Sequence, residues 1–145
     1  MFSTKNLTVA AALILGIALG WSTRSLRAAS KEESHVYELR TYYTLEGRLP
    51  ALNARFKDHT LKLFEKHGMK NVVYGTPIEK DGKPVGDKLV YLLAHKSQEA
   101  AQASFAAFGK DPEWVAARDA SEKDGKIVSK VESQFLVPTD YSPMK

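Results

Sequence analysis

The sequence has no cysteine, and this absence excludes several kinds of site. No disulfide, thiolate nucleophile or thiolate metal site can form in its 145 residues. Phosphate-binding glycine loops are also lacking, because neither GxGxxG nor GxxxxGK occurs. The candidate serines Ser104, Ser121 and Ser133 have no nucleophile-elbow context. Thiol chemistry is thereby excluded, and nothing in the sequence indicates nucleotide binding.

Concentrated positive charge is lacking too, although the formal net charge is +4. Three basic residues, Lys5, Arg24 and Arg27, lie within residues 1–30, which contain no acidic residue. The rest of the chain carries 18 basic residues against 17 acidic ones, a net charge of +1. Nucleic-acid binders normally concentrate basic residues on one face, so we expect no nucleic-acid partner.

The first 30 residues differ in composition from the rest. The apolar run at residues 7–21 is short for a membrane span of about 20 residues and is typical of a signal peptide. Cleavage is expected after Ala28 or Ala29. We therefore predict export to the periplasm or cell envelope, with an uncleaved N-terminal membrane anchor as the alternative, since two arginines follow the run.

Residues 31–145 are long enough for one domain. The segment HVYELRTYY at residues 35–43 favours a strand. Its period of two places Tyr37, Leu39, Thr41 and Tyr43 on one face and Glu38, Arg40 and Tyr42 on the other.

Residues 49–67 then predict a helix. Its apolar stripe comprises Leu49, Leu52, Phe56, Leu63 and His67, with Thr60 and Phe64 beside it.

The remaining pattern alternates in the same way. We predict strands at residues 69–79, 88–96 and 127–137, and a hairpin loop at 80–87. A helix follows Ser97, and a second one begins at Asp111 in the order of cap, proline and acid. Phe105, Phe108 and Trp114 are expected to anchor these helices. The order β-α-β-β-α-β is the ferredoxin-like pattern of an α+β domain, followed by an extended tail from residue 138.

One face of such a sheet is covered by helices, and the other needs a partner. We expect Glu38, Arg40 and Glu132 to lie on this second face, among leucine, valine and tyrosine. Such a mixed face is poorly suited to contact with water, whereas a second copy of the chain would bury it and pair its charges. The sequence therefore predicts a homodimer in which two sheets stack into a dimeric α+β barrel.

Five segments, taken in order, resemble the NIPSNAP family: VYELRTYYTLEGRLPALNARF, HTLKLFEKHGMKNV, LVYLLAHKS with its alanine-rich helix, DPEWVAARDASEKDG and VESQFLVPTDYSP. The resemblance spans residues 35–143. It implies a ferredoxin-like protomer that dimerises as an α+β barrel, and it supplies no agreed catalytic motif. The predicted export signal departs from the mitochondrial and cytosolic members of the family.

Two histidines of the first helix are candidate site residues. His59 and His67 are either acid–base or ligand-binding groups facing a cleft between helix and sheet, or structural residues at a boundary and a helix end. Eight residues of helix rise roughly 12 Å, so the two imidazoles cannot share one metal ion. No metal site is expected. If a pocket exists, we expect it between the first helix and the sheet, close to His59.

A second set of candidates lies on the strands. Arg40 and Tyr42, with Tyr74 and Tyr91, predict an aromatic pocket with one anion-binding guanidinium. The alternative is an interface ion pair between Arg40 and either Glu38 or Glu132.

Two functions stay open. The first is a dimer that binds a small apolar or aromatic molecule or a partner. The second, by analogy of fold, is a small monooxygenase or isomerase, cofactor-independent or haem-linked.

Overall fold

Four strands and intervening helices form in the predicted β-α-β-β-α-β order. The computed structural model describes residues 35–144, so the predicted signal peptide or anchor lies outside the described residues. The strands are β1 (Val36–Thr44), β2 (Lys70–Gly75), β3 (Lys88–His95) and β4 (Val128–Leu136). They make one antiparallel sheet in the order β2-β3-β1-β4. The α+β, ferredoxin-like prediction is confirmed.

The predicted first helix forms with one irregularity. It comprises α1 (Leu49–Arg55), a π-helical segment (Phe56–Thr60) and α2 (Leu61–Lys66). It ends before Gly68, which adopts a left-handed φ of 78° that disfavours side-chain-bearing residues.

Two further helices, α3 (Gln98–Lys110) and α4 (Pro112–Ser121), follow β3. The predicted caps are present: the Ser97 side chain accepts a hydrogen bond from the Ala100 amide, and Asp111 accepts one from the Glu113 amide.

Strand register determines which residues face the helices. In the β1–β3 ladder Arg40 lies opposite Tyr91, and Glu38 lies opposite Leu93. Tyr91 and Leu93 are fully buried members of the core beneath the helices. Directly paired residues share a face, so Glu38 and Arg40 face the helices as well. The expectation that they lie on the opposite face is wrong, because burying Tyr91 and Leu93 fixes the register and carries them inward.

The core is the layer between this inner sheet face and the helices. It consists largely of aromatic and leucine side chains, including Leu52, Phe56, Leu63, Phe64, Met69, Tyr91, Leu93 and Phe108. Phe108 also contacts Trp114, at 4.4 Å between ring centroids. Phe105, Phe108 and Trp114 therefore anchor α3 and α4, as predicted.

The other sheet face, here called the outer face, is more exposed. Leu39, Val90 and Leu92 are half-buried there, and Val73 is 56% exposed. Glu132 also lies on this face, opposite Thr41, as expected. Within residues 35–144, no helix combines the length and apolarity that a membrane crossing requires.

Candidate functional site

A row of polar side chains crosses the inner sheet face, and Glu38 is its centre. Glu38 and His95 are almost wholly buried, with side chains 2% and 1% exposed. Arg40 Nη1 donates a hydrogen bond to Glu38 Oε1 at 2.5 Å, and Ser133 Oγ donates to the same oxygen. His95 Nε2 donates to Glu38 Oε2 at 3.1 Å. We call Glu38, Arg40, His95 and Ser133 the polar row.

The polar row holds Glu38 as a carboxylate. Burial alone raises the pKa of a carboxyl group, but the hydrogen bonds from His95 and Ser133 and the charge of Arg40 together lower the pKa of Glu38. Arg40 is likewise held as a cation: burial alone would lower its pKa, but the charge of Glu38 and the hydrogen bond to it raise the pKa of Arg40. Its guanidinium also lies 4.4 Å from the centroid of the Phe105 ring.

Two buried nitrogen atoms of the polar row have hydrogen-bonding capacity to spare. Neither Arg40 Nε nor His95 Nδ1 has a hydrogen-bond partner among the described residues. Buried polar atoms are nearly always paired, so unpaired ones of this kind point to water or a ligand group. Because His95 Nε2 donates to Glu38, Nδ1 of a neutral imidazole is an acceptor.

Four aromatic rings continue from the polar row toward the protein surface. Tyr42, Phe56, Tyr74 and Tyr91 form what we call the aromatic cluster. Tyr74 stacks on Tyr91 at 5.2 Å with an interplanar angle of 14°, and Tyr42 lies 5.4 Å from Tyr91. Phe56 contacts the three tyrosines at 5.2–5.9 Å. Tyr42 also lies beneath Arg40, with 5.8 Å from the guanidinium carbon to its ring centroid.

One asparagine fixes the outermost ring of this cluster. The Tyr74 hydroxyl donates to Asn71 Oδ1 at 2.5 Å. Asn71 Nδ2 in turn donates to the Leu61 carbonyl and to Glu65 Oε1, both at 3.0 Å. Burial and the charge of Glu65 raise the pKa of Tyr74, so the hydroxyl stays protonated. Asn71 thereby ties the ring of a β2 residue to α2.

A pocket of about 230 Å³ opens beside the aromatic cluster, between the first helix and β2–β3. Its lining residues are Asn53, Phe56, Lys57, Leu61, Tyr74 and Leu89. We call it the cleft pocket. The cleft pocket lies between the first helix and the sheet, which is where the sequence analysis predicted a pocket. The charged residue at its rim is Lys57, however, and not His59.

His59 lies elsewhere. It is exposed and lines a groove of about 300 Å³ between α1 and α4, with Asp58 and Arg55. Thr60, four residues after Phe56, is the buried residue at this point of the helix, and His59 lies on the side that faces α4. Thr60 is 1% exposed, and its hydroxyl donates to the Arg55 carbonyl at 3.2 Å. The predicted position of His59 in the helix–sheet cleft is therefore wrong.

His67 has a structural partner. Its Nε2 lies 2.7 Å from Asp111 Oδ2, and Lys66 Nζ lies 2.9 Å from the same oxygen. The contact joins the end of α2 to the cap of α4. Across residues 35–144, no three histidine or acidic residues are grouped to hold a metal ion.

A match to a protein-family model identifies the family of this chain. The NIPSNAP family model matches residues 37–143. The chain belongs to the NIPSNAP family. None of the curated proteins compared with it matches.

Solved NIPSNAP structures share the fold. A NIPSNAP family protein of unknown function from Agrobacterium tumefaciens has 22% identity and a TM-score of 0.63, over 78% of this chain and 96% of that one. A NIPSNAP-like domain protein from Burkholderia xenovorans has 15% identity and a TM-score of 0.63, over 77% and 90%. A Streptomyces coelicolor monooxygenase in complex with Nanaomycin D has 13% identity and a TM-score of 0.50, over 78% and 95%.

In this NIPSNAP protein the strand candidates come together and the helix candidates do not. Arg40, Tyr42, Tyr74 and Tyr91 share the inner face, as the aromatic-pocket hypothesis required. The pairing of Arg40 with Glu38 is also present, but within the core. Sequence reasoning missed His95 as a partner of Glu38, although the alternation of β3 already aligned it with Tyr91 and Leu93.

Proposed function

We propose that this NIPSNAP protein is an exported homodimer that binds a small apolar or aromatic molecule in the cleft pocket. The observation that carries the proposal is the continuity of the aromatic cluster. Phe56 and Tyr74 line the pocket, and behind them Tyr91 and Tyr42 lead to the unpaired Arg40 Nε. An aromatic wall with a few polar groups is typical of small-molecule sites.

The volume of the pocket bounds the ligand. Sites for drug-sized molecules span about 300–1,000 Å³. At about 230 Å³ the cleft pocket falls below that range. A molecule of one or two rings fits such a space, with its flat face against Phe56 and Tyr74.

Native mass spectrometry of the full chain purified from its own cells tests the binding. We expect a bound mass that is released on denaturation and lost in Tyr74→Ala. The matched control is Tyr141→Ala, because Tyr141 is 84% exposed in the C-terminal tail. Ligand-free spectra of the wild type, together with unchanged melting on addition of 2-naphthylmethanol, would contradict the proposal.

Export is the second part of the proposal, and it rests on the sequence of residues 1–30. N-terminal sequencing of protein from the native cell should give a start between Ala28 and Lys31. A chain that still begins at Met1 would leave the membrane-anchor alternative.

A second candidate function is a monooxygenase or isomerase, and the Glu38–His95 pair favours it. A histidine oriented by a carboxylate, with its other nitrogen free, is a common proton-transfer arrangement. Oxygen uptake or proton exchange with a two-ring phenol, lost in His95→Gln, would support this function. A Soret band in protein from haem-supplied cells would indicate the haem-linked version.

A further inference from the structure

We infer that the cleft pocket selects an anionic ligand, namely a one- or two-ring aromatic carboxylate. Its ring lies against Phe56 and Tyr74, and its carboxylate is bound by Lys57 and Asn53. This inference rests on the proposed binding function and adds the charge of the ligand to it.

The unpaired side chain of Lys57 is the first argument. Some surface lysines are neutralised by acids, as Lys66 is by Asp111 and Glu113, whereas others, such as Lys62, form no ion pair with the described residues. Lys57 lines the cleft pocket and is exposed, yet none of the described residues forms an ion pair or hydrogen bond with its side chain. An unopposed ammonium at the rim attracts an anion from solvent.

The position of Asn53 is the second argument. Asn53 precedes Lys57 by four residues, so the two side chains are neighbours on one side of the helix. Both line the cleft pocket, and the side-chain amide of Asn53, too, forms no hydrogen bond within residues 35–144. An ammonium and an amide N–H side by side can each donate to one oxygen of a carboxylate.

The acidic residues near this rim lie away from the pocket. Asp58 follows Lys57 directly but lines the separate groove toward α4. Glu65 accepts a hydrogen bond from Asn71, and no acid is among the residues that line the cleft pocket. The pocket therefore combines an apolar aromatic wall with a single positive charge, which is the complement of an aromatic acid.

A matched pair of probes tests this inference on the full chain. Binding of 2-naphthoate and of the neutral 2-naphthylmethanol is measured by calorimetry for the wild type, Lys57→Gln and Lys62→Gln. Lys62 is the control because it is exposed on the same helix and does not line the pocket. We expect Lys57→Gln to weaken naphthoate binding about three- to fivefold, as for a solvent-exposed ion pair, and to leave naphthylmethanol binding unchanged. Added salt should reduce the difference.

The possible outcomes distinguish failure of the anionic selectivity from failure of the proposed binding function. Equal affinity of the wild type for the two probes, or naphthoate binding that Lys57→Gln does not change, would overturn the anionic selectivity and leave the pocket intact. Binding of neither probe would overturn both. An equal fall of naphthoate affinity in Lys62→Gln would show that the overall surface charge, and not Lys57 in particular, attracts the anion. This result too would overturn the assignment to Lys57.

Discussion

Glu38 is a charged residue buried in a largely apolar core. A carboxylate in an apolar layer is costly unless it is paired and fully hydrogen-bonded. Glu38 satisfies both conditions, because Arg40, His95 and Ser133 all donate to it. The arrangement leaves Arg40 Nε and His95 Nδ1 unpaired. The polar row thus stabilises its own charge while keeping two nitrogen atoms available.

Replacement of Glu38 by glutamine tests this pairing. The substitution keeps the shape and removes the charge, so Arg40 becomes an uncompensated buried cation. We expect a loss of about 3–5 kcal/mol in the free energy of unfolding, the usual result of breaking a buried pair. Urea denaturation at neutral pH measures it. Glu132→Gln is the control, and its loss should be much smaller because Glu132 is half-exposed, with a side chain 49% accessible. Equal losses of unfolding free energy in the two variants would contradict the conclusion that Glu38 compensates the charge of Arg40.

The pH dependence of stability gives an independent check. The pKa of Glu38 in the folded protein lies below its ordinary value of 4.5. Its contribution is therefore complete above about pH 4.5 and is lost as the pH falls through the lower folded-state pKa. Denaturation midpoints between about pH 6 and about pH 3 should decrease more for the wild type than for Glu38→Gln. Parallel curves would show that Glu38 is not stabilised as a carboxylate.

At the scale of elements, alternation predicted which residues share a face but not which face meets the helices. The two faces of β1 are similar in apolarity, because Tyr37 and Tyr43 lie on one face and Tyr42 lies on the other. The charges of Glu38 and Arg40 then favoured the wrong side, because isolated charges are rarely buried. Only the pairing with His95 and Ser133, which comes from β3 and β4, makes their burial possible. Partners so distant in sequence are not visible in a local pattern.

The π-helical segment is the other element that local periodicity did not reveal. Spacings of three and four residues place both His59 and Thr60 near Phe56, and the observed turn buries Thr60 and exposes His59. Thr60→Val keeps the volume but leaves the buried Arg55 carbonyl without its hydroxyl donor. We expect a loss of about 1–3 kcal/mol in the free energy of unfolding, measured by urea denaturation. Thr76→Val, in the loop after β2, is the control. Unchanged stability in Thr60→Val would mean that packing alone holds the segment.

At the scale of the whole molecule, the corrected register changes the expected dimer contact. The charges of Arg40 and Glu38 are paired with each other inside the protomer, so a second copy is not needed to neutralise them. On the outer face, Glu132 is paired with Lys130 and with the Tyr43 hydroxyl. The unmatched part of this face is its apolar centre, which comprises Leu39, Val73, Val90 and Leu92. Apolar burial, rather than exchange of charges, is therefore the force available for stacking two sheets.

The last prediction follows from that apolar centre. The protein purified from its cells should sediment as a dimer at micromolar concentration. Leu92→Lys places a charge in the middle of the outer face, where two stacked sheets would bury it without a partner. We expect this variant to sediment as a monomer while the circular dichroism of the fold is retained, since Leu92 points away from the helices. Ile78→Lys, in the loop after β2, adds the same charge at a residue that is 67% exposed and should leave the dimer intact. A wild-type protein that stays monomeric would exclude the barrel, whereas a dimer that survives Leu92→Lys would show that the copies associate through another surface.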